Sequence, residues 1–297
     1  MSISKPKLIV ILGQTASGKS ELAIRLAKKF NGEIISADSR QIYKGLDIGT
    51  AKLNKEKIKS IPHHLIDIIL LKEKFNVALF KELAKEKIKE IHKRKKLPFL
   101  VGGTGLYIDA LVENFKFPKI SLQKKIRKSL DDKNEKELFA IYKKLDPVGA
   151  KFIEEKNKRR LIRAIEVCKI TKNSFWEKRK KEKAIFESLK IGIKLPKEEL
   201  EIKIKNRTRK MIKNNLEGEV KKLVKKYGWS VPLQTIGYRE WKEYFEKKIS
   251  KKDVENLISL HTLQFSRRQM TWFSRDKNIK WIQSYKEGEK KIKNFIK

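Results

Sequence analysis

Short apolar runs alternate with helix-like stretches over the first hundred residues of the chain. Apolar runs predict strands at residues 8–12, 33–36, 64–71 and 99–101. Apolar residues recur at helical spacing over residues 21–30 and 77–95, which predicts helices between these strands. A strand–helix–strand order of this kind is typical of a parallel sheet with helices on both faces.

The middle of the chain follows a different pattern. Residues 121–190 are charged and carry apolar residues at helical spacing, with no convincing strand. Residues 190–195 predict a strand that returns to the sheet, and the tail beyond them is again helical. We therefore expect an α/β core, formed by residues 1–118 and 190–297 with C-terminal helices, that is interrupted by an all-helical insertion at residues 119–189.

The strongest local motif is G-x-x-x-x-G-K-S, which follows the first predicted strand and opens the first predicted helix. Glycines let backbone N–H groups turn inward around phosphate oxygens, and a helix N-terminus favours their negative charge. Lys19 adds a positive charge, and the Ser20 hydroxyl is of the type that ligates Mg²⁺. We predict a P-loop NTPase-like core whose phosphate-binding loop consists of Gly13, Gln14, Thr15, Ala16, Ser17, Gly18, Lys19 and Ser20.

This loop alone leaves the reaction open. Nucleotide hydrolases and kinases usually hold their metal with an aspartate at the end of a further apolar strand. Here the strand at residues 99–101 runs into a Gly-Gly-Thr-Gly sequence that contains Thr104, and the aspartate follows the second strand as Asp38. The carboxyl ends of parallel strands face the ligand crevice, so Asp38 and Thr104 are candidates to face the phosphate compound. A turn or helix cap is an equally good interpretation of Asp38.

The charge of the chain raises the possibility of a polyanionic partner. Lys and Arg number 74 against 36 Asp and Glu, which gives a net charge of +38. Neutralising phosphates drives sequence-independent binding to nucleic acids, although a compositional bias towards lysine explains the excess equally well. A single cysteine, Cys168, excludes an intramolecular disulfide, and the apolar run at residues 8–12 is too short to span a membrane. We expect a cytoplasmic, monomeric protein.

Eight segments together resemble the ordered motifs of bacterial tRNA dimethylallyltransferases, which are also called tRNA isopentenyltransferases. They occur in the family's order and extend over nearly the whole chain. The segments are GQTASGKS at 13–20, DSRQIY at 38–43, GLDIGTAK at 45–52, PHHLID at 62–67, GGTGLY at 102–107, RRLIRA at 159–164, IGYRE at 236–240 and RRQMTWF at 267–273. Gln14 and Ser20 stand where proline and threonine are usual, but Ser20 keeps the metal-binding hydroxyl.

That family transfers the dimethylallyl group of dimethylallyl diphosphate to N6 of the adenosine at tRNA position 37. The products are diphosphate and N6-(dimethylallyl)adenosine. The resemblance implies that the loop holds the leaving diphosphate, with Mg²⁺ on Ser20 and with Arg207 on the same side. It also implies that Asp38 is the general base for N6 and that Thr104 hydrogen-bonds near the reacting centre.

The resemblance further implies contacts with the anticodon stem-loop of tRNA. The target base leaves its stack to reach the enzyme, as bases modified by enzymes generally do. The implied contacts are Asp38, Ser39, Arg40, Gln41 and Thr104 at the target nucleotide, and Arg127, Arg159, Arg160, Leu161, Ile162 and Arg163 on the insertion. Without the resemblance, a solvated helix face is the simpler interpretation of these arginines.

Three other functions stay open at this point. One is an isopentenyltransferase that acts on free adenine nucleotides, and another is a small-molecule kinase or nucleotide hydrolase. The third is an RNA-binding P-loop protein without catalysis. Two smaller features are also ambiguous. His63 and His64 would point to opposite faces of a strand and so would not share a metal. Trp272 and Phe273 suit stacking on RNA and a buried anchor about equally.

Overall fold

The computed structural model describes residues 5–53, 56, 60–117, 123–176 and 182–297. Two compact units make up the chain. The first combines Met1–Val112 with Ile185–Lys297, and the second is Glu113–Ala184. No helix in the described part of the chain is both long enough and apolar enough to cross a membrane.

A six-stranded parallel sheet forms the centre of the first unit. Its strands lie in the order β3-β2-β4-β1-β5-β6. They are β1 (Lys7–Gly13), β2 (Gly32–Ala37), β3 (His63–His64), β4 (Leu97–Gly102), β5 (Glu187–Ile193) and β6 (Lys280–Ile282). Residues 8–12 of the central strand β1 are all apolar and buried, since both faces of the strand are covered, as the sequence predicts. The α/β, P-loop NTPase-like fold class is confirmed.

Helices cover both faces of this sheet and also build the second unit. The helices of the first unit are α1 (Lys19–Lys29), α2 (Val77–Lys93), α3 (Gly105–Val112), α8 (Lys197–Lys213), α9 (Leu216–Tyr227), α10 (Trp241–Phe245), α11 (Lys251–Phe273) and α12 (Tyr285–Ile296). Those of the second unit are α4 (Lys124–Asp131), α5 (Glu135–Leu145), α6 (Pro147–Ala150) and α7 (Lys158–Thr171).

Alternate residues of β1 enter two separate cores, one on each face of the sheet. Val10 and Leu12 pack with α2 and α3, whereas Ile9 and Ile11 pack with α1 and α12. Each of these four side chains is at most 1% exposed. Burial of this extent contributes roughly 1.5–3 kcal/mol per side chain before entropy is subtracted. The strand is therefore a rigid support for the loop that follows it.

A third apolar cluster joins the C-terminal helices to the loop after β2. Glu219 of α9 accepts hydrogen bonds from the backbone N–H groups of Ile48 and Gly49 at 2.9 and 3.2 Å, and from the Tyr238 hydroxyl at 2.6 Å. The Tyr238 ring lies so close to Gly49 that no side chain would fit there. These contacts fix the shape of the 45–52 segment at one wall of the candidate site.

Two strand predictions need correction. The strand predicted at residues 64–71 is wrong beyond His64, because Leu65 and Asp67 adopt positive φ angles of 61° and 55° and turn the chain. The backbone there bonds instead to the loop after β2, for example from Asp67 N–H to the Gln41 carbonyl at 3.1 Å. The short edge strand β6 was missed, since three residues carry too little periodicity, and β5 begins three residues before the predicted strand.

The second unit has its own core of apolar side chains from α4 to α7. Leu138, Tyr142 and Ile165 are fully buried in it. The Asp146 carboxylate accepts hydrogen bonds from the Tyr142 hydroxyl and from the Gly149 N–H, each at 2.8 Å, and so fixes the start of α6. Because this unit buries a core of its own, its helices hold their surface residues in fixed positions.

Candidate active site

The phosphate-binding loop connects β1 to α1 through two glycines with positive φ angles. Gly13 has φ of 151°, and a Cβ atom there would lie 2.5 Å from the carbonyl oxygen of Ile193. Gly18 has φ of 87° and directly precedes α1, whose start has no side-chain cap. The N-terminal turn of α1 therefore points uncapped N–H groups and a positive dipole end towards the loop. The sequence motif produces the geometry expected of an anion site.

Two cations lie next to this loop. Lys19 Nζ donates to the carbonyl oxygen of Gln14 at 3.1 Å, and Arg207 of α8 donates from Nη1 to Thr15 Oγ1 at 3.0 Å. Desolvation, together with the charge of Arg207, lowers the pKa of Lys19 to about 8. Desolvation also lowers the pKa of Arg207, against the opposing influence of Asp38. Among the described residues neither cation forms an ion pair, so the site favours a ligand with several negative charges.

One pocket is lined by six of the predicted donor and acceptor residues, which are Thr15, Lys19, Ser20, Asp38, Gln41 and Arg207. Its polar lining consists of Thr15, Lys19, Ser20, Ser36, Asp38, Gln41, Thr50, His63 and Arg207. The register of the sheet explains this convergence, because Ala37 lies opposite Gly102 and Leu12 lies opposite Gly102 on the other side. The carboxyl ends of β1, β2 and β4 therefore meet at one edge, where ligands of α/β proteins bind.

Asp38 is a turn residue and a pocket residue at the same time. Its Oδ1 accepts hydrogen bonds from the backbone N–H groups of Arg40 at 2.8 Å and Gln41 at 3.2 Å. Its Oδ2 accepts none from the part of the chain that the structure describes. The turn interpretation is thus correct, but it does not exclude chemistry: one oxygen fixes the carboxylate while the other stays available to a ligand in the pocket.

Thr104 lies behind the Asp38 turn. Its Oγ1 accepts a hydrogen bond from the Ser39 N–H at 3.3 Å, and its own N–H donates to the Ala37 carbonyl at 3.3 Å. It is not among the described residues that line the pocket. Gln41 does line the pocket, and its Nε2 donates to the Thr50 carbonyl oxygen at 3.2 Å. The structure therefore brings residues 38–41 and Thr104 together, with Asp38 and Gln41 facing the cations.

The donor set of the pocket fits Mg²⁺. Ser20 and Asp38 line the same pocket and offer oxygen atoms, the ligands that Mg²⁺ prefers. No cluster of three or more His, Cys, Asp or Glu side chains that could hold a metal occurs among the described residues. The Ser20 hydroxyl thus suits an ion that takes its other ligands from a bound diphosphate and from water. The Ser17 hydroxyl is buried without a partner in the described part of the chain, so the loop also holds a polar group that a phosphate would satisfy.

The two histidines of β3 have separate partners. His63 Nδ1 lies 2.8 Å from the Ile61 carbonyl oxygen, and His64 Nε2 lies 2.7 Å from Glu33 Oε2. Burial alone would raise the pKa of Glu33, but hydrogen bonds from Arg94, His64 and Lys96 lower it to about 2. The two side chains therefore have different partners, as expected for neighbours that point to opposite faces of a strand.

Sequence reasoning missed the role of the 267–273 segment in the architecture of the site. Gln269 of α11 is 5% exposed, accepts from the Thr15 N–H at 2.7 Å and donates from Nε2 to the Gly103 carbonyl at 2.9 Å. Trp272 donates from Nε1 to Asp109 at 2.8 Å, and Phe273 is buried in the core. The anchor interpretation of the aromatic pair is favoured. The motif indicated that the segment matters, but no spacing rule identifies a side chain 254 residues away from its partner.

The arginines of the insertion surround one buried carboxylate. Glu166 accepts two hydrogen bonds from Arg127, both at 2.9 Å, and one from Arg163 at 2.6 Å. Burial alone would raise the pKa of Glu166, but these bonds lower it to about 2, and they raise the pKa of Arg127. Both guanidinium groups are therefore already paired inside the unit. Arg159 is exposed and Arg160 is partly buried.

Two residues of the insertion that are predicted to contact tRNA have buried side chains. Leu161 is 0% exposed and Ile162 is 7% exposed, and both belong to the core of the second unit. They occupy the inward face of α7, whereas Arg159 on the same helix is exposed. Consecutive residues of a helix point in different directions, so a motif of consecutive residues includes both core and surface positions.

A family model described as IPP transferase matches residues 41–276, which is most of the chain. The chain belongs to the IPP transferase family. A tRNA dimethylallyltransferase from Carboxydothermus hydrogenoformans is 43% identical over 298 residues, covering 98% of this chain and 96% of the relative. One from Microcystis aeruginosa is 43% identical over 286 residues, covering 96% and 90%. These bacterial relatives confirm the predicted family resemblance.

Two solved transferase structures are similar to this chain in fold. The tRNA delta(2)-isopentenylpyrophosphate transferase of Staphylococcus epidermidis is 38% identical, with a TM-score of 0.72. The match covers 98% of this chain and 99% of the Staphylococcus chain. A eukaryotic dimethylallyltransferase described as acting on tRNA is 26% identical, with a TM-score of 0.80, and covers 93% and 73%. The fold of this IPP transferase family member is therefore the one found in enzymes of both origins.

Proposed function

We propose that this member of the IPP transferase family is a tRNA dimethylallyltransferase. It transfers the dimethylallyl group of dimethylallyl diphosphate to N6 of the adenosine at position 37 and releases diphosphate. The names of the relatives support the reaction class. The observation that carries the proposal is the pair of cations, Lys19 and Arg207, which line one pocket with Asp38 and have no ion-pair partner among the described residues.

The donor half of the site stabilises a leaving group. As the allylic C–O bond breaks, carbocation character develops on the dimethylallyl group and negative charge develops on the diphosphate. Lys19, Arg207 and the N–H groups of the loop are fixed before the reaction, so they stabilise that charge without reorganisation. The Ser20 hydroxyl would hold Mg²⁺, which would supply further positive charge for the same diphosphate.

The acceptor half of the site handles the proton of N6. An exocyclic adenine amine is a weak nucleophile, and its attack on the allylic carbon is complete only when a proton leaves the nitrogen. Asp38 Oδ2 accepts this proton, while the hydrogen bonds to Oδ1 from Arg40 and Gln41 hold the carboxylate in one orientation. The N–C bond thus replaces the C–O bond, and the proton moves to the carboxylate.

The acceptor is the anticodon stem-loop of tRNA rather than a free nucleotide. The exposed Arg159 and the partly buried Arg160 suit contacts with phosphates, and the net charge of +38 favours a polyanion. Arg127 and Arg163 can contact tRNA only through the guanidinium N–H groups that do not donate to Glu166. Because the adenine must reach a pocket at the end of the sheet, the base is expected to leave its stack.

A transfer assay tests this function directly. Purified protein is incubated with dimethylallyl diphosphate, Mg²⁺ and a transcript with adenosine at position 37, and nucleosides from digested RNA are separated by mass. We expect N6-(dimethylallyl)adenosine at that position and none in a matched transcript with guanosine at position 37. Faster transfer to AMP than to the transcript would move the acceptor to free nucleotides. Release of phosphate from ATP without prenyl transfer would replace the proposal with a hydrolase.

A further inference from the structure

We propose that Gln269 is a positioning residue that holds the phosphate-binding loop and the turn after β4 in one fixed arrangement. The proposal rests on the transferase function above and adds a residue to it. Gln269 connects the N–H of Thr15 in the loop to the carbonyl oxygen of Gly103 in the turn, at 2.7 and 2.9 Å. These two groups follow β1 and β4, the neighbouring strands that support the donor and acceptor halves of the site.

A neutral amide suits this position because it both accepts and donates. The Thr15 N–H requires an acceptor and the Gly103 carbonyl requires a donor, so the two partners fix which end of the amide faces which segment. The Gln269 side chain is buried, and breaking either bond would leave a buried backbone group unsatisfied. A Cβ atom at Gly103 would collide with Nε2 of Gln269. Glycine at this position of the Gly-Gly-Thr-Gly turn therefore leaves the space that the Gln269 amide occupies.

The bridge connects the two chemical halves of the pocket through short contacts. On the donor side, Thr15 also accepts a hydrogen bond from Arg207 at 3.0 Å through its hydroxyl. On the acceptor side, Gly103 precedes Thr104. The Thr104 hydroxyl accepts a hydrogen bond from the N–H of Ser39, the residue after Asp38. Gln269 therefore sets the separation between the leaving-group cations and the proton acceptor. Misplacement by about 1 Å can reduce a rate by about 10²-fold, so this separation matters for turnover.

Two substitutions separate the two hydrogen bonds. Gln269→Leu keeps a similar volume and removes both, and we expect kcat to fall by about 10²-fold with KM for either substrate nearly unchanged. Gln269→Glu keeps an acceptor for the Thr15 N–H, but its carboxylate cannot donate to the Gly103 carbonyl. Once protonated, that carboxyl group donates again, so the activity of Gln269→Glu relative to wild type should recover as the pH is lowered towards about 5.

The control is Asn256→Ala, which removes an exposed amide from the same helix. It should keep the wild-type kcat and pH profile. Hydrogen exchange gives a readout that needs no catalysis: the Thr15 amide should exchange faster in Gln269→Leu than in Asn256→Ala. The melting temperature of Asn256→Ala should stay close to wild type, whereas that of Gln269→Leu should fall, because two buried backbone groups lose their partners.

The outcomes distinguish this proposal from the proposed function. Absence of transfer by the wild-type protein contradicts the function, and the Thr15 exchange rate then still decides the bridge. Active wild-type protein with an equally active Gln269→Leu variant overturns the positioning role. If Gln269→Leu does not fold, the pH profile of Gln269→Glu decides: recovery at low pH supports the role, and a profile parallel to wild type contradicts it.

Discussion

The cations of the pocket and those of the insertion are in opposite electrostatic states. Lys19 and Arg207 lie in a desolvated pocket that lowers the pKa of each, and neither has an ion-pair partner in the described part of the chain. Arg127 and Arg163 instead share the buried Glu166 carboxylate, and the pKa of Arg127 is raised. Burial thus disfavours the charged forms of Lys19 and Arg207. The charges of Arg127 and Arg163 are instead compensated by the Glu166 carboxylate.

The carboxylates of the two regions differ in the same way. Glu166 is fully buried and accepts four hydrogen bonds, including one from the Gln123 N–H at 2.8 Å. Asp38 accepts two through one oxygen and has the other available. Removing one partner from a saturated buried ion cluster destabilises the fold, because it leaves a buried charge uncompensated, whereas unsaturated groups in a pocket can act on a ligand. The comparison indicates that chemistry belongs to the pocket and that the cluster maintains the insertion.

The most severe test of this comparison exchanges each carboxylate for its amide. Asp38→Asn should lower kcat by about 10²–10⁴-fold, because the amide cannot accept the proton of N6 while the turn keeps its acceptor oxygen. Binding of inorganic diphosphate, measured by calorimetry, should be retained. Glu166→Gln should instead lower the free energy of unfolding by about 3 kcal/mol, as expected when one partner of a buried ion pair is removed.

Denaturant titration and the transfer assay of both variants check this pair of expectations. A fully active Asp38→Asn protein would remove Asp38 from the mechanism. A Glu166→Gln protein with wild-type stability would show that the arginine cluster does not maintain the insertion.

A second test truncates one arginine from each region. Arg207→Leu should lower kcat by about 10²–10³-fold, the effect of removing one group that stabilises transition-state charge. Arg163→Leu should leave kcat at saturating tRNA close to wild type and lower the melting temperature, because Glu166 loses one donor. Steady-state kinetics and thermal unfolding of the matched pair measure both effects. Equal losses of kcat in the two variants would contradict the assignment of different roles.

The fold and half of the site follow from local patterns in the sequence. The run at residues 8–12 and the loop motif after it predict β1, the phosphate-binding loop and α1, because strand, turn and helix signals there agree. Asp38 and Thr104 could be placed near the loop because the carboxyl ends of parallel strands share one edge. These inferences need only neighbouring residues and one topological rule.

The other features of the site depend on contacts between distant segments. Gln269 reaches Thr15 across 254 residues and Arg207 reaches it across 192, and helical periodicity cannot indicate such partners. The burial of Leu161 and Ile162 was predictable in principle, since apolar residues in an amphipathic helix face its core. The family motif, taken as a continuous string rather than as one face of a helix, predicts tRNA contacts at both positions.

The lowered pKa of Lys19 makes ligand binding sensitive to pH. Its folded-state pKa of about 8 lies below the ordinary value of 10.5, so the unliganded protein loses this charge as the pH rises through about 8. Binding of diphosphate favours the protonated amine, so affinity should fall by up to about tenfold per pH unit above that point. The Glu166–Arg127 pair gives no such dependence, because Glu166 has a pKa of about 2 and the pKa of Arg127 is raised, so both keep their charges there.

Calorimetric binding of inorganic diphosphate between pH 7 and about 9.5 measures this slope. The Lys19→Met variant is the control, since any slope that it retains belongs to the ligand itself. The same slope in both proteins would mean that Lys19 does not titrate in this range.

The smallest expected effect concerns Arg159, an arginine of the insertion that lies outside the cluster around Glu166. Arg159 is exposed on α7, so Arg159→Ala should leave the melting temperature unchanged and weaken tRNA binding a few-fold. If it neutralises one phosphate, the slope of log affinity against log salt concentration should decrease by about one. Filter binding of the transcript over a salt series measures the slope, with the exposed Lys151→Ala as a matched loss of one positive charge. Equal changes for the two variants would mean that Arg159 contributes only to the general positive field. A change confined to Arg159→Ala would separate a specific phosphate contact from the paired cations of the cluster beside it in sequence.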